Sequence, residues 1–176
     1  MKNFFKHLHT INKHRWEVFK LCVMFGIPLQ GLVHDLSKYS TTEFSIYKYY
    51  DGTRSPHEVA REVLGYSPSW IHHKGRNKHH WEYWVDNYDN KNVAIKVPAK
   101  YVVEMVADTI AASKVYLGKN FTKKAPLEYF IAHAGNRLYH EDTRNEIMKL
   151  LVTYSMFEER VTAIMCRRLL KGNKKS

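Results

Sequence analysis

Apolar residues recur at helical spacing from the start of the chain. Over residues 3–25 successive apolar positions are separated by three, four or seven residues, as on one face of an amphipathic helix. Gly26 followed by Ile27 and Pro28 predicts its end. The pattern therefore predicts a first helix over 3–25, and its apolar stripe consists of Phe4, Leu8, Ile11, Val18, Cys22 and Phe25.

Capping residues, prolines and glycines predict further helices. Ser40 and Glu43 have the spacing of a capping box, which predicts a helix around Tyr47. Thr143 and Glu146 predict the cap of a final helix. The other predicted helices cover 28–35, 56–64, 68–73, 79–85, 98–117, 126–139 and 143–170, and 86–97 is predicted to be a polar loop.

No segment shows the alternation typical of strands, and no break in composition divides the chain. We therefore expect an all-α protein, a single compact domain over residues 1–176 with about six to eight helices. With 44% hydrophobic and 26% charged residues among 176, the composition is that of a folded protein and excludes wholesale disorder.

The charge balance favours phosphate-bearing partners. Lys and Arg number 28 against 17 Asp and Glu, a net charge of +11. Cys22 and Cys166 lack the spacing of a disulfide framework or a CxxC site. No apolar run approaches the roughly 18 residues of a membrane span, and no secretory leader is recognisable. We expect a cytoplasmic protein that does not enter a membrane.

Three helical positions carry ionisable residues on faces that are otherwise apolar. His14 lies between Ile11 and Val18 on the inward stripe of the first helix. His34 and Asp35 are adjacent on the short second helix, and Asp108 lies among apolar residues of the helix over 98–117. Buried charge needs compensation, and neutral imidazole with carboxylate suits Zn, Mn or Fe.

In this order, His14, His34-Asp35 and Asp108 resemble the H...HD...D signature of the HD-domain metal-dependent phosphohydrolase superfamily, an all-helical fold. Residues 34–38 are similar to the HDxxK variant of that signature. The resemblance covers roughly residues 5–118, whereas the helices of 119–176 carry no matching motif. It implies a first divalent metal held by these four residues, with His34 and Asp35 central to catalysis and Lys38 on a substrate phosphate.

Four histidines lie close together between the HD pair and Asp108, in the sequence HHKGRNKHH. Members of the superfamily with two metals have two extra histidines in this interval, so a second ion bridged by Asp35 is implied. His73 and His80 are the preferred second pair, and His72 and His79 are the alternative. In a one-metal site these histidines would instead contact substrate or act as acid and base.

Other residues near these motifs are candidates for substrate contacts. Lys74, Arg76 and Lys114 could bind phosphate, and Trp70 and Trp81 could stack on a base. Glu43, Glu82 and Glu104 are candidate general acids or bases.

These residues predict a hydrolase that cleaves a phosphoester of a nucleotide or similar small substrate, using one or two ions of Mn, Fe, Zn, Co or Mg. Two alternatives stay open at this point. One is a dinuclear iron oxygenase of the same superfamily, and the other is a non-catalytic, basic nucleic-acid-binding protein. The long helices after Pro126 could also form the face of a homo-oligomer.

Overall fold

The computed structural model describes residues 2–50 and 55–172. Within these ranges the chain is mostly helical, and a two-stranded hairpin is its only sheet. The α-helices are α1 (Lys2–Phe25), α2 (Pro28–Val33), α3 (Thr41–Phe44), α4 (Pro56–Leu64), α5 (Pro68–Lys74), α6 (Ala99–Leu117), α7 (Ala125–Ala134), α8 (Glu141–Met156) and α9 (Glu159–Gly172). Short 3₁₀ segments are Leu36–Tyr39, Ser45–Tyr49, Trp81–Trp84 and Gly118–Asn120. The predicted all-α class is confirmed, although the described part holds nine α-helices, more than predicted.

The core forms around α6, whose side chains are buried on almost every face. The helix packs against α1 and against α8 and α9. Of the predicted apolar stripe of α1, Ile11, Val18, Cys22 and Phe25 are buried, whereas Phe4 near the start of the helix is 37% exposed. The buried core residues of the other three helices include Val102, Val106, Ile110, Ile147, Leu151, Tyr154, Ala163 and Cys166. Among the described residues, no helix is both long and apolar enough to cross a membrane.

A hairpin replaces most of the polar loop predicted over 86–97, and the helix predicted over 79–85 is limited to the 3₁₀ segment Trp81–Trp84. Strands β1 (Val85–Tyr88) and β2 (Lys91–Ala94) pair antiparallel, with Val85 opposite Ala94. Asp89 and Asn90 between them both have positive φ, of 49° and 58°. Two consecutive left-handed residues form the type I′ turn that matches strand twist, and Asp and Asn tolerate this conformation. The turn residues were thus the missed signal, because the strands are too short and exposed to alternate.

The C-terminal segment also differs from the prediction. The helix predicted over 143–170 is two helices, because the chain turns at Phe157 and Glu158. The cap of α8 is His140, whose Nδ1 accepts from the Asp142 amide, and not Thr143. The Thr143 hydroxyl instead accepts a hydrogen bond of 3.0 Å from the Val97 amide, just before α6. The helix predicted over 126–139 is shorter and ends at Ala134.

Candidate metal centre

The His34-Asp35 pair lies in a turn and not on a helix, which corrects the sequence prediction. Helix α2 ends at Val33, His34 is extended, and Asp35 is left-handed with φ 54°. Lys38 then closes a 3₁₀ turn by donating from its amide to the Asp35 carbonyl oxygen. Both His34 and Asp35 are only 1% exposed. A left-handed backbone conformation is strained at a residue other than glycine, and such conformations are found at functional sites. Here this conformation turns both side chains inward.

A first group of ligand atoms brings together all four residues of the predicted first site. His14 Nε2 lies 2.9 Å from Asp108 Oδ1 and 3.9 Å from Asp35 Oδ2. His34 Nε2 lies 3.3 Å from Asp35 Oδ2 and 3.7 Å from Asp108 Oδ1. These two histidines and Asp35 are close enough to one another to share a cation. Asp108 lies beside this group, against both imidazoles.

A second group lies on the other oxygen of Asp35. His73 Nε2 and His79 Nε2 each lie 3.3 Å from Asp35 Oδ1. His80 also belongs to this group, with all four ligand atoms within 4.8 Å of one another. Asp35 therefore presents one carboxylate oxygen to each group, which is the arrangement of a bridging carboxylate between two ions.

The second group contains both members of the preferred pair, His73 and His80, together with His79 of the alternative pair. His73 and His79 both reach Asp35, whereas the preferred pair joined His73 with His80 and the alternative joined His72 with His79. His72 turns away and donates from Nδ1 to Glu43 Oε1 at 2.7 Å. The equal spacing of the two pairs predicted that one histidine of each pair, at corresponding positions, faces inward. However, α5 ends at Lys74 and the chain then turns, so helical periodicity does not relate the two pairs.

Two buried glutamates hold the outer nitrogens of these histidines. Glu104 Oε1 accepts from His34 Nδ1 at 2.9 Å and from His79 Nδ1 at 3.1 Å. Glu43 Oε2 accepts from His73 Nδ1 at 2.7 Å. Each bond fixes the tautomer that leaves Nε2 free for a metal, as is usual for metal-binding histidines. Glu43 and Glu104, predicted as general acids or bases, thus support the imidazoles.

The electrostatics of the centre favour positive charge. Burial alone would raise the pKa of Asp35 and Asp108, but the facing imidazoles hold both pKa values well below the usual range. The charge of Lys38 lowers the pKa of Asp35 further. Glu104 is lowered to a pKa of about 2 by the His34 and His79 hydrogen bonds, which outweigh its burial. The pKa of His79 is raised to about 10, because the nearby carboxylates of Asp35 and Glu104 outweigh burial. A buried cluster of carboxylates thus binds protons or metal ions.

Several buried polar atoms of the centre have no hydrogen-bond partner in the part of the chain that the structure describes. Asp35 Oδ1, His34 Nε2 and His79 Nε2 are buried without a hydrogen bond to any described residue. When Nδ1 of each imidazole donates to Glu104, its Nε2 faces a carboxylate oxygen of Asp35 at 3.3 Å, and this contact is favourable when a proton or a metal ion lies between the two atoms. The donor set of imidazole and carboxylate therefore fits a divalent transition metal.

The remaining predicted residues lie at varying distances from this centre. Lys38 Nζ lies 2.6 Å from Asp35 Oδ2. Lys114 instead pairs with Glu159 at 2.8 Å, and Trp81 packs toward Tyr139. Trp70 packs against His73 and His80, with ring centroids 5.7 and 4.9 Å apart. Lys74 is half-buried, Arg76 is exposed, and Glu82 Oε2 is buried without a hydrogen bond to a described residue.

Two further histidines were not predicted, His7, which is buried, and His57, which is half-buried. His7 packs against Phe44 and Tyr50, and burial followed by the charge of Lys38 lowers its pKa to about 4. His57 Nδ1 forms a hydrogen bond with the Ser67 hydroxyl, and the His57 ring packs against Trp70. The spacing of His7, seven residues before His14 on α1, was the available signal, because it places both on one face.

Comparison with known proteins identifies a family without assigning an activity. No curated protein and no solved structure gives a significant match to the chain. One family pattern matches residues 3–153, a span that includes every candidate ligand and both supporting glutamates. The chain belongs to this family, which is described as a family of unknown function, DUF5662.

Proposed function

We propose that this protein is a metal-dependent phosphohydrolase of the HD type, which cleaves a phosphoester of a nucleotide or similar small substrate in the cytoplasm. The observation that carries the proposal is the position of Asp35, whose two oxygens face two separate sets of imidazole nitrogens. The chemistry that bound divalent ions supply here is an acidified water and a polarised phosphoryl oxygen.

The residues that would hold the ions fall into two sets that share Asp35. His14, His34 and Asp108 hold the first ion, and His73 and His79 hold the second, with His80 in reach of it. The ions proposed are Mn, Fe, Zn, Co or Mg. Nitrogen ligands favour the transition metals among them.

The exposed side of the centre is where a substrate can reach it. The side chains of Lys38 and Asp108 are 27% and 24% exposed, whereas those of Asp35 and His34 are at most 2% exposed. Lys38 therefore offers its ammonium group at the entrance, where it can bind a phosphate oxygen while it remains beside Asp35. The net charge of +11 attracts an anionic substrate from solution.

The test combines metal analysis with a substrate panel. Purified wild-type protein is analysed by plasma mass spectrometry and then assayed on nucleoside mono-, di- and triphosphates and cyclic dinucleotides, with and without added Mn²⁺. Asp35→Ala removes the shared ligand, and Asp142→Ala removes an exposed aspartate on α8 as a matched control. Metal-dependent release of phosphate or nucleotide by wild type and Asp142→Ala alone supports the proposal, and no hydrolysis at any metal loading contradicts it.

A dinuclear iron oxygenase is the second candidate. Three imidazoles, those of His73, His79 and His80, cluster on one oxygen of Asp35, and such a nitrogen-rich set suits iron. Two irons per chain, an EPR signal from a mixed-valent pair and oxygen-dependent turnover would favour this activity over hydrolysis. The nucleic-acid-binding alternative predicts binding that depends steeply on salt and is indifferent to chelator.

A further inference from the structure

A single carboxylate oxygen on α6 links the two sets of ligands. Glu104 Oε1 accepts the hydrogen bonds of two imidazoles, one from each set of ligands: His34 from the first and His79 from the second. Glu104 is 3% exposed, so both bonds are shielded from water. Glu43, by contrast, reaches only the second set, through His73.

The two imidazoles that share this oxygen also lie against each other. The ring centroids of His34 and His79 are 4.3 Å apart, with the planes inclined by 39°. A displacement of one ring therefore displaces the other through direct contact as well as through the shared acceptor. Their Nε2 atoms face opposite oxygens of Asp35, Oδ2 for His34 and Oδ1 for His79.

The position of Glu104 is itself fixed at both ends. Its second oxygen, Oε2, accepts a hydrogen bond of 2.9 Å from the Gln30 amide of α2. Glu104 also precedes the first-set ligand Asp108 by four residues on α6, so the two carboxylates project from the same helix face one turn apart. One rigid helix thus carries a ligand of the first ion and the support for ligands of both ions.

We propose that Glu104 is a positioning residue that couples the two metal positions, so that the affinities of both ions depend on this one carboxylate. The inference rests on the metal centre of the proposed function but not on hydrolysis. It distinguishes Glu104 from Glu43, whose loss disturbs only the second position. Loss of an outer-shell partner typically lowers metal affinity 10- to 100-fold.

The experiment titrates Mn²⁺ into chelator-treated full-length protein and follows free Mn²⁺ by EPR, with bound metal counted by plasma mass spectrometry. Wild type is expected to bind two ions with an exchange-coupled signal. Glu43→Gln is expected to keep one ion at wild-type affinity and to bind the other about 10- to 100-fold more weakly. Glu104→Gln is expected to weaken both ions by that factor, a pattern that general loss of stability would not produce beside an unchanged far-UV spectrum.

Two further variants control for folding and for removal of a glutamate. Glu146→Gln replaces a half-buried glutamate of α8 and is expected to bind both ions as wild type does. If Glu104→Gln fails to fold, Gln30→Ala decides the question, because it removes only the hydrogen bond to Glu104 Oε2 and is expected to weaken both ions by a smaller factor.

The inference is overturned if Glu104→Gln, or Gln30→Ala in its place, leaves either ion at wild-type affinity, or if wild type binds fewer than two ions. Binding of two ions by wild type without hydrolysis of any nucleotide refutes the proposed activity alone and leaves the coupling to be decided by the variants.

Discussion

Gly31 on α2 lies directly against Cys22 on α1. A Cβ atom added at Gly31 would lie 2.6 Å from the Cys22 Cβ and 3.1 Å from the Phe19 Cα, closer than side chains and backbone approach each other. Helix α1 carries His14, and His34 follows Gly31 by three residues. The close approach of the two helices thus sets the distance between His14 and His34 of the candidate centre.

Gly31→Ala should therefore destabilise the protein and weaken metal binding together. Overpacking of this kind costs about 1–3 kcal/mol, since backbone atoms must move apart. The midpoint of thermal unfolding and the Mn²⁺ affinity measure the two effects. Gly135→Ala is the matched control, because Gly135 has an ordinary helical φ of −66° and nothing lies within 4 Å of its added Cβ. Equal midpoints of thermal unfolding for Gly31→Ala and wild type would show that α1 and α2 can move apart without cost.

Asp35→Asn should abolish retention of both ions, because each set of imidazoles loses its shared anionic oxygen. Asparagine tolerates the left-handed backbone of this position, so the change tests the charge and not the turn. Plasma mass spectrometry after gel filtration measures the metal content. One ion retained at full occupancy would mean that the two sets do not share this carboxylate.

Lys38→Ala should leave the metal content intact and weaken the binding of phosphate-bearing substrates. A hydrogen bond to a charged group contributes about 1.5–3 kcal/mol, which corresponds to a decrease in kcat/KM of roughly 10- to 100-fold. Steady-state kinetics with the best substrate of the panel provide the measurement. Lys114→Ala is the control, because Lys114 pairs with Glu159 on α9. Unchanged kinetics in Lys38→Ala would remove this residue from the substrate site.

His7 should make the protein less stable in mild acid. Its pKa is lowered to about 4 by burial and then by the charge of Lys38, against 6.5 in the unfolded chain. Between these values the unfolded state binds more protons, so the free energy of unfolding rises with pH. The contribution of His7 to this free energy is lost as pH falls from about 6.5 through 4. His57, with a pKa lowered to about 3 by burial and neighbouring charges, contributes with the same sign.

The substitution His7→Phe keeps an aromatic ring against Phe44 and Tyr50 but removes the titrating group. Its urea-derived free energy of unfolding should therefore depend less steeply on pH across this window, by about one proton. His9→Phe, which replaces an exposed imidazole of the same helix, is the control. Parallel curves for His7→Phe and wild type would contradict the prediction.

Local patterns were sufficient to predict α1 and α6 and the four residues that meet in the first group. The stripe around His14 and the apolar neighbours of Asp108 required only helical periodicity, and the HD pair supplied the third element. The supporting role of Glu104 was not predictable, because it depends on how α2, α6 and the turn near His79 pack together. The presence of His79 beside His80 in the second group was not predictable for the same reason, since a turn without periodicity decides which rings point inward.

The break between α8 and α9 has a consequence for synthesis of the chain. It returns α9 to the N-terminal helix, where Arg167 donates to the Met24 carbonyl oxygen across 143 residues of sequence. Cys166 and Ala163 of α9 also complete the core beside α1 and α6. Part of the apolar face of α1 thus stays uncovered until α9 has been synthesised, and such long-range closure slows folding. A nascent chain stalled before residue 159 would expose this face to chaperones.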